Sequence, residues 1–465
     1  MTKEKQLIHH TILYAVANFG SSLITFLMLP IYTRYFHPED FGVWDVAATT
    51  VGLLVPLITV ELTSATYRWL IDDNEKANKA EIISTGFFQI LLHTLLFNFI
   101  ALIIFLFIDF TLKWETLFYI NVFIFSSFIQ QCARGLKRNV LFASLGILQT
   151  LIVAALNIVF IFVFQLGIEL FFYANIIAGL ISIVVGWYNM RFSRYIRLKH
   201  YSKVILRPFF RYALPIVSGA AGWWILTMAD RWMIALFLGM KFNGIYAVAV
   251  KIPAVLMMIN HVFSLAWKDS AILAYRSADR DAFYSKIFDK YFTLLATSVI
   301  CLTLSAKPLI EIFIGGAYND AWKYTGILLL AALFNAMSLF WSAGFHGAKR
   351  TKTIFTTTAV GATVNVGLNL LLIPFFELYG VSIATLAAFF VTWAMRVQSG
   401  KQLFTIKFNY IKVILLLFII VLSSMLPFII DGHLLNLVIF VSFVMLIFVN
   451  RVILKKALCF DFKVI

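Results

Sequence analysis

The chain has 465 residues, of which 62% are hydrophobic, 17% aromatic and only 13% charged, and it carries a net charge of +16. Soluble domains average about a quarter charged residues, so this composition excludes a water-soluble globule and points to a polytopic membrane protein. The three cysteines, Cys132, Cys301 and Cys459, lack CxxC spacing and nearby histidines; they support neither a disulfide framework nor a thiolate metal site and are read as core filler.

In chain order, apolar runs of roughly 20 residues, enough to cross ~30 Å of hydrocarbon, alternate with prolines, turns and charge clusters. They predict helices at 10–32, 41–62, 82–108, 116–133, 140–164, 169–190, 212–239, 243–267, 290–314, 322–346, 354–375, 379–400, 411–430 and 434–453. Lys3 and Lys5 precede the first, which has full span length and no small-residue cleavage site, so it reads as a membrane helix. The ninth is interrupted by Lys307 and Pro308. In this layout 31 of the 38 Lys and Arg fall in loops on one side, and five, Arg34, Lys113, Lys241, Lys307 and Lys323, on the other. The positive-inside rule then makes both termini cytoplasmic. The basic stretch "RFSRYIRLKHYSKVILRPFFR" reads as a topology determinant contacting anionic lipid headgroups, so no nucleic-acid partner is expected. The outer loops are all short, and no metal, phosphate-loop or nucleophile motif occurs; a non-enzyme without a cofactor is expected.

The two halves resemble each other. At an offset of 212, "RGLKRNVLFASLGILQTLIVAALNIVFIFVFQLGI" from Arg134 aligns without a gap on "HGAKRTKTIFTTTAVGATVNVGLNLLLIPFFELYG" from His346, pairing Gly135 with Gly347, Lys137 with Lys349, Arg138 with Arg350 and Asn157 with Asn369. At an offset of 202, "FGVWDVA" aligns on "NGIYAVA", pairing Gly42 with Gly244. Glycines, basic pairs and asparagines are the rare letters in such a chain, so they carry the comparison. Two six-helix copies of equal orientation, related by an axis along the membrane normal around a cavity, are expected. The domain boundaries that follow are 1–190 for the N-terminal bundle, 191–211 for a basic cytoplasmic linker, 212–403 for the C-terminal bundle, and 404–465 for two extra C-terminal helices.

The stretch "YALPIVSGAAGWWILTMADRWMIALFLGMKFNGIYAVAVKI", with "PEDFGVWDVA" and "ATYRWL" before it and "GAKRT" and "GATVNVGLNLLLIPFF" after it, resembles the polysaccharide-transport branch of the multidrug/oligosaccharidyl-lipid/polysaccharide flippase superfamily. The resemblance covers most of the chain. It implies a V-shaped pair of bundles working by alternating access, and a Wzx-type O-antigen or capsule repeat-unit flippase in a bacterial inner membrane. Such a protein moves an undecaprenyl-diphosphate-linked oligosaccharide from the cytoplasmic to the periplasmic leaflet, with membrane lipids and polysaccharide assembly proteins as its other partners. The rival readings are a multidrug or cation antiporter of the same superfamily and, from another class, a membrane O-antigen polymerase or ligase.

A lipid-linked sugar diphosphate needs cations at membrane depth and polar partners for its hydroxyls. Arg231 lies eight residues before Gly239 and Lys251 eight residues after Asn243, so at 1.5 Å per residue both sit ~12 Å below the outer surface. Charges at that depth normally face protein or water. Asp230 neutralises one of them, while Trp224, Thr227 and Arg231 share a helix face. Two readings stand open: a cationic substrate site, or a structural lock between the seventh and eighth spans. His93 and Asp45 are the candidates for coupling to a H⁺ or Na⁺ gradient, and Arg68, Arg134 and Arg396 for a cytoplasmic rim that captures the diphosphate. Asn157 and Asn369 are expected to hydrogen-bond neighbouring helices.

Overall fold

The structure is a computed structural model that describes residues 20–72, 78–108 and 112–458; Cys459 and the start of the first predicted helix lie outside them. Among the described residues, eleven helices are long and apolar enough to cross a membrane, or up to twelve if one bent pair counts as a single span. Their outward faces are apolar, as lipid requires: Leu106 and Phe107 are 81% and 83% exposed at the end of one of them.

Two predicted spans are interrupted where the backbone chemistry demands it. The predicted span 41–62 is two helices, α2 (Pro38–Thr59) and α3 (Leu62–Ile71), which follow α1 (described over 20–35). Pro56 inside α2 offers no N–H, and Val60 and Glu61 adopt left-handed conformations that return the Glu61 amide to the Pro56 carbonyl at 3.1 Å. The helices α4 (Lys79–Phe107), α5 (Lys113–Gly135), α6 (Asn139–Phe162), α7 (Glu169–Met190) and α8 (Lys203–Phe237) follow. The predicted span 243–267 is the bent pair α9 (Met240–Ala249) and α10 (Lys251–Ala274), which meet at 43°. Pro253 cannot donate to the Ala249 carbonyl one turn earlier, and the Thr325 hydroxyl, whose proton is shared with the Ala321 carbonyl at 3.0 Å, approaches it at 3.4 Å.

After α11 (Arg280–Phe313) and α12 (Trp322–Gly347), the predicted spans 354–375 and 379–400 form one run, α13 (Thr351–Gly400), broken by non-helical backbone at Glu377. The last two helices, α14 (Tyr410–Met425) and α15 (Gly432–Leu458), pack on α11. Lys412 pairs with Asp289 at 2.8 Å, Lys307 pairs with Asp431, and Asn450 donates to Thr297 at 2.9 Å. The predicted ninth span therefore runs unbroken through Pro308 and begins ten residues earlier than its apolar core.

The chain packs as two units: the described residues up to Phe36 with Trp44–Trp224, and His37–Val43 with Ile225 onward. In the first, the segment read as a linker is folded against α4. Ser84 donates to the Tyr195 carbonyl at 2.5 Å, the Ser202 amide donates to Thr85 at 3.0 Å and the Tyr201 hydroxyl to Gln89 at 3.0 Å. In the second, a column of aromatic rings fills the core, with Trp267 stacked on Phe340 at 4.2 Å.

The repeat pairs share local geometry. After α5 and after α12 the chain makes the same turn: Lys137 and Lys349 are left-handed (φ 61° and 56°), and the Arg138 and Arg350 amides return to the carbonyls of Ala133 and Phe345, both at 2.9 Å. In the second unit, Gly42 and Gly244 face each other's helix starts. A Cβ on Gly42 would lie 2.0 Å from the Met240 carbonyl oxygen and one on Gly244 1.8 Å from that of Pro38. Since 38 and 240 differ by the same 202 as 42 and 244, the contact is reciprocal.

Candidate functional site

The second unit holds the chain's acidic and basic pair in α8. Asp230 and Arg231 are 1% and 6% exposed. A carboxylate removed from water loses several kcal/mol of solvation, and three neutral donors compensate it. Asp230 Oδ2 accepts from the Tyr246 hydroxyl at 3.0 Å and the Thr385 hydroxyl at 2.8 Å, and Oδ1 accepts from Asn369 Nδ2 at 2.8 Å. At about 1.5–3 kcal/mol per hydrogen bond to a charged group, three bonds match that loss. The donors come from α9 and from both arms of α13, so the carboxylate joins three helical segments to α8.

Tyr246 serves both charges. Its hydroxyl meets Asp230, and its ring lies 5.1 Å beneath the Arg231 guanidinium, which also donates to the Thr227 carbonyl at 3.1 Å. Asn369 Nδ2 also approaches Asn365 Oδ1 at 3.2 Å, one turn earlier on the same face. This leaves Asn369 Oδ1 and Asn365 Nδ2 buried without a hydrogen-bond partner. The cluster thus brings carboxylate, amide and hydroxyl oxygens together between α8, α9 and α13.

Trp224 stands one turn before Thr227 on α8, and its indole donates to the Thr49 carbonyl at 2.7 Å. Lys251 is half-buried and opens α10 directly after the bend. His93 in α4 is tied to Gln89 at 3.0 Å and packs on Phe210; Asp45 in α2 is half-buried. Arg68 is exposed and pairs with Asp72 at 2.8 Å, while Arg134 lies over the Tyr67 ring at 4.6 Å.

Arg396, read from the sequence as a rim residue, is instead 2% exposed. Five oxygen contacts replace its water: Thr357 Oγ1 at 3.1 Å, the Ser338 carbonyl and hydroxyl at 3.0 and 2.6 Å, Ser342 Oγ at 2.8 Å and Thr358 Oγ1 at 2.9 Å. A helix face carrying Ser338 and Ser342 one turn apart, and the adjacent Thr357–Thr358, were the available signals. Tyr246 and Thr385 also escaped the sequence reading, because both lie in apolar stretches with no charged neighbour to single them out. Cys132 and Cys301 are both buried.

Multiple apolar spans, with buried charges satisfied by helix-borne polar groups, define a multi-pass, all-α membrane protein. Its fold is that of the multidrug/oligosaccharidyl-lipid/polysaccharide transporters. A multidrug-resistance MATE family transporter in its inward-facing conformation aligns over 83% of this chain and 97% of its own at a TM-score of 0.68 and 15% identity. The lipid II flippase MurJ, inward closed, aligns over 97% and 100% at the same TM-score and identity. A family model for polysaccharide biosynthesis proteins matches residues 7–267, and the chain belongs to that family. Over 233 residues it is 25% identical to an uncharacterized membrane protein of Methanocaldococcus jannaschii, covering 48% of this chain and 45% of the relative. The match thus spans about half the length of that curated relative.

Proposed function

We propose that the protein flips a lipid-linked oligosaccharide, an undecaprenyl-diphosphate-linked repeat unit of O-antigen or capsule type, from the cytoplasmic to the periplasmic leaflet of a bacterial inner membrane by alternating access. The observation that carries this reading is the burial of Asp230 and Arg231 in a membrane helix of a chain that belongs to a polysaccharide biosynthesis family. A charge held at membrane depth is retained for function as a rule, and an arginine fork matches a diphosphate. Replacing Arg231 with Gln is expected to abolish surface-polysaccharide export and to let lipid-linked units accumulate on the cytoplasmic side at unchanged protein level. Normal export by a normally produced Arg231→Gln protein would overturn the reading. If the protein is lost but Asp230→Asn restores it in the double variant, the pair is a structural lock.

The finer features form part of the same proposal. Fourteen spans are supported by the division of α13 at Glu377, the bent pair α9–α10, and a first helix whose described part covers 20–35. Cytoplasmic termini rest on the basic-residue asymmetry. For the coupling ion, a proton or Na⁺ carried as cargo, we assign Asp230 ahead of His93 and Asp45. Asp230 has Thr385, Asn369 and Tyr246 against it, with the unpartnered Asn369 Oδ1 in the same cluster. The antiporter reading shares this fold, since the MATE transporter and the lipid II flippase align at the same TM-score; it predicts drug resistance conferred by the gene and no polysaccharide defect in its absence.

A further inference from the structure

The first unit contains a cavity of about 340 Å³, bounded by α1, α2, α5, α6 and α7, which the ionic cluster of the second unit does not involve. One wall is aromatic. Trp44 lies nearly parallel to Phe171 (5.1 Å, 15°) and is held edge-on by Phe172 at 5.3 Å, so its ring is fixed before any ligand arrives. The lining also carries three amides. Gln149 and Asn157 lie two turns apart on one face of α6, and Asn175 stands one turn beyond Phe171 on α7.

The hydrogen-bond inventory of those amides is incomplete. Asn157, 1% exposed, donates to the Tyr32 hydroxyl at 2.6 Å, and its Oδ1 has no partner. Exchanging the amide oxygen and nitrogen only changes which atom is left over. A buried unmatched polar atom costs about 1–3 kcal/mol, and Tyr32, accepting from Asn157, keeps its own proton to donate. Among the described residues, no charged side chain lines the cavity. A phosphate or a cation would enter without a counter-charge, and a hydrocarbon chain would leave the amides unsatisfied. A neutral ring with one apolar face and peripheral hydroxyls satisfies both the aromatic wall and the amides. The volume lies at the low end of the range for ligand pockets, which suits a single sugar residue and not a whole oligosaccharide.

We propose that this cavity is a sugar subsite that holds one uncharged pyranose residue, its C–H face against the wall formed by Trp44 and Phe171 and its hydroxyls on Gln149, Asn157, Asn175 and Tyr32. The inference rests on the flippase reading and assigns part of its selectivity to the first unit.

Gly146 supplies the test. It lines the cavity, and a Cβ there meets nothing within 4 Å, so Gly146→Leu extends into the space from an unobstructed Cβ and favours the helix. The purified full-length protein in nanodiscs is titrated with a panel of neutral hexoses and N-acetylhexosamines and followed by saturation-transfer NMR. At least one sugar is expected to bind the wild type in the millimolar range, with affinity lowered tenfold or more in both Gly146→Leu and Asn157→Leu. Arg231→Gln should bind that sugar normally. Absence of binding to the wild type, or equal binding by both cavity variants, overturns the subsite. Export failure in Arg231→Gln alongside normal export in Gly146→Leu would sink the subsite and leave the flippase reading intact. Normal export by Arg231→Gln alongside sugar binding lost in Gly146→Leu would do the reverse.

Discussion

Arg396 gives the sharpest energetic prediction, because lysine, its usual conservative substitute, should be worse than methionine. The guanidinium makes five contacts to four residues of α12 and α13. A lysine ammonium has three donors on a shorter reach, so at least two contacts are lost while the charge stays buried. At about 1.5–3 kcal/mol per bond to a charged group, Arg396→Lys loses about 3–6 kcal/mol. Methionine removes the charge and its solvation penalty together. The hydroxyls it abandons are mostly already committed as donors: Ser342 to the Ser338 carbonyl at 3.2 Å, Thr357 to Thr353 at 2.8 Å and Thr358 to Ile354 at 2.9 Å. Only acceptor lone pairs are orphaned, and Arg396→Met should stay within about 2 kcal/mol of wild type. Thermal unfolding of the three purified proteins in one detergent, followed by loss of the monodisperse peak on size exclusion, should give the order wild type, Met, Lys. A lysine variant as stable as wild type would refute the argument, since it would mean that the five contacts contribute nothing beyond the presence of a cation.

Gly244→Ala drives a Cβ into the Pro38 backbone and should sharply reduce the amount of folded protein, whereas Gly219→Ala, with open space around it, should leave the yield unchanged; fluorescent-fusion chromatography reads both. If Asp230 binds Na⁺, exchanging choline for Na⁺ at 100 times the dissociation constant should stabilise the wild type by about 2.7 kcal/mol, and Asp230→Asn should show no such gain in the same unfolding assay. Tyr246→Phe keeps the ring under Arg231 but removes one donor to Asp230, so it should lower stability by about 1.5–3 kcal/mol; an unchanged unfolding midpoint would count against the network. Topology reporters fused after Lys203 and after Asp320 should read cytoplasmic and periplasmic respectively, and the reversed pair would invert the transport direction.

Helix existence was legible in the sequence because lipid selects apolar runs of fixed length, and positions such as Pro308 mislead only when a proline is taken for an end. The breaks were less legible. Val60 and Glu61 have no glycine between them to announce a left-handed turn, and the bend at Val250 follows from Pro253 only once Thr325, far along the chain, is seen to lie against the freed carbonyl. The anomaly of Asp230 and Arg231 stood out because charges are rare in such a helix. Their partners did not, since a tyrosine or threonine in a membrane helix is ordinary until folding brings it to a carboxylate. Arg396 shows the converse error: closeness to a helix end suggested solvent, while four hydroxyls from helices packed against it supplied an interior.

The reciprocal crossing at Gly42 and Gly244 also constrains how the chain is made. His37–Val43 belongs to the unit built from Ile225 onward, and its partners Met240, Asn243 and Gly244 leave the ribosome about 200 residues later. At 5–20 residues per second this is a wait of roughly 10–40 s, during which the helix start of α2 stands in the membrane with a bare glycine groove. Neighbouring nascent chains on the same message offer the same Met240–Gly244 surface at that time, so intermolecular pairing at this crossing is the natural misassembly product. Translation that slows before Gly239 lengthens that exposure and should raise the yield of swapped dimers.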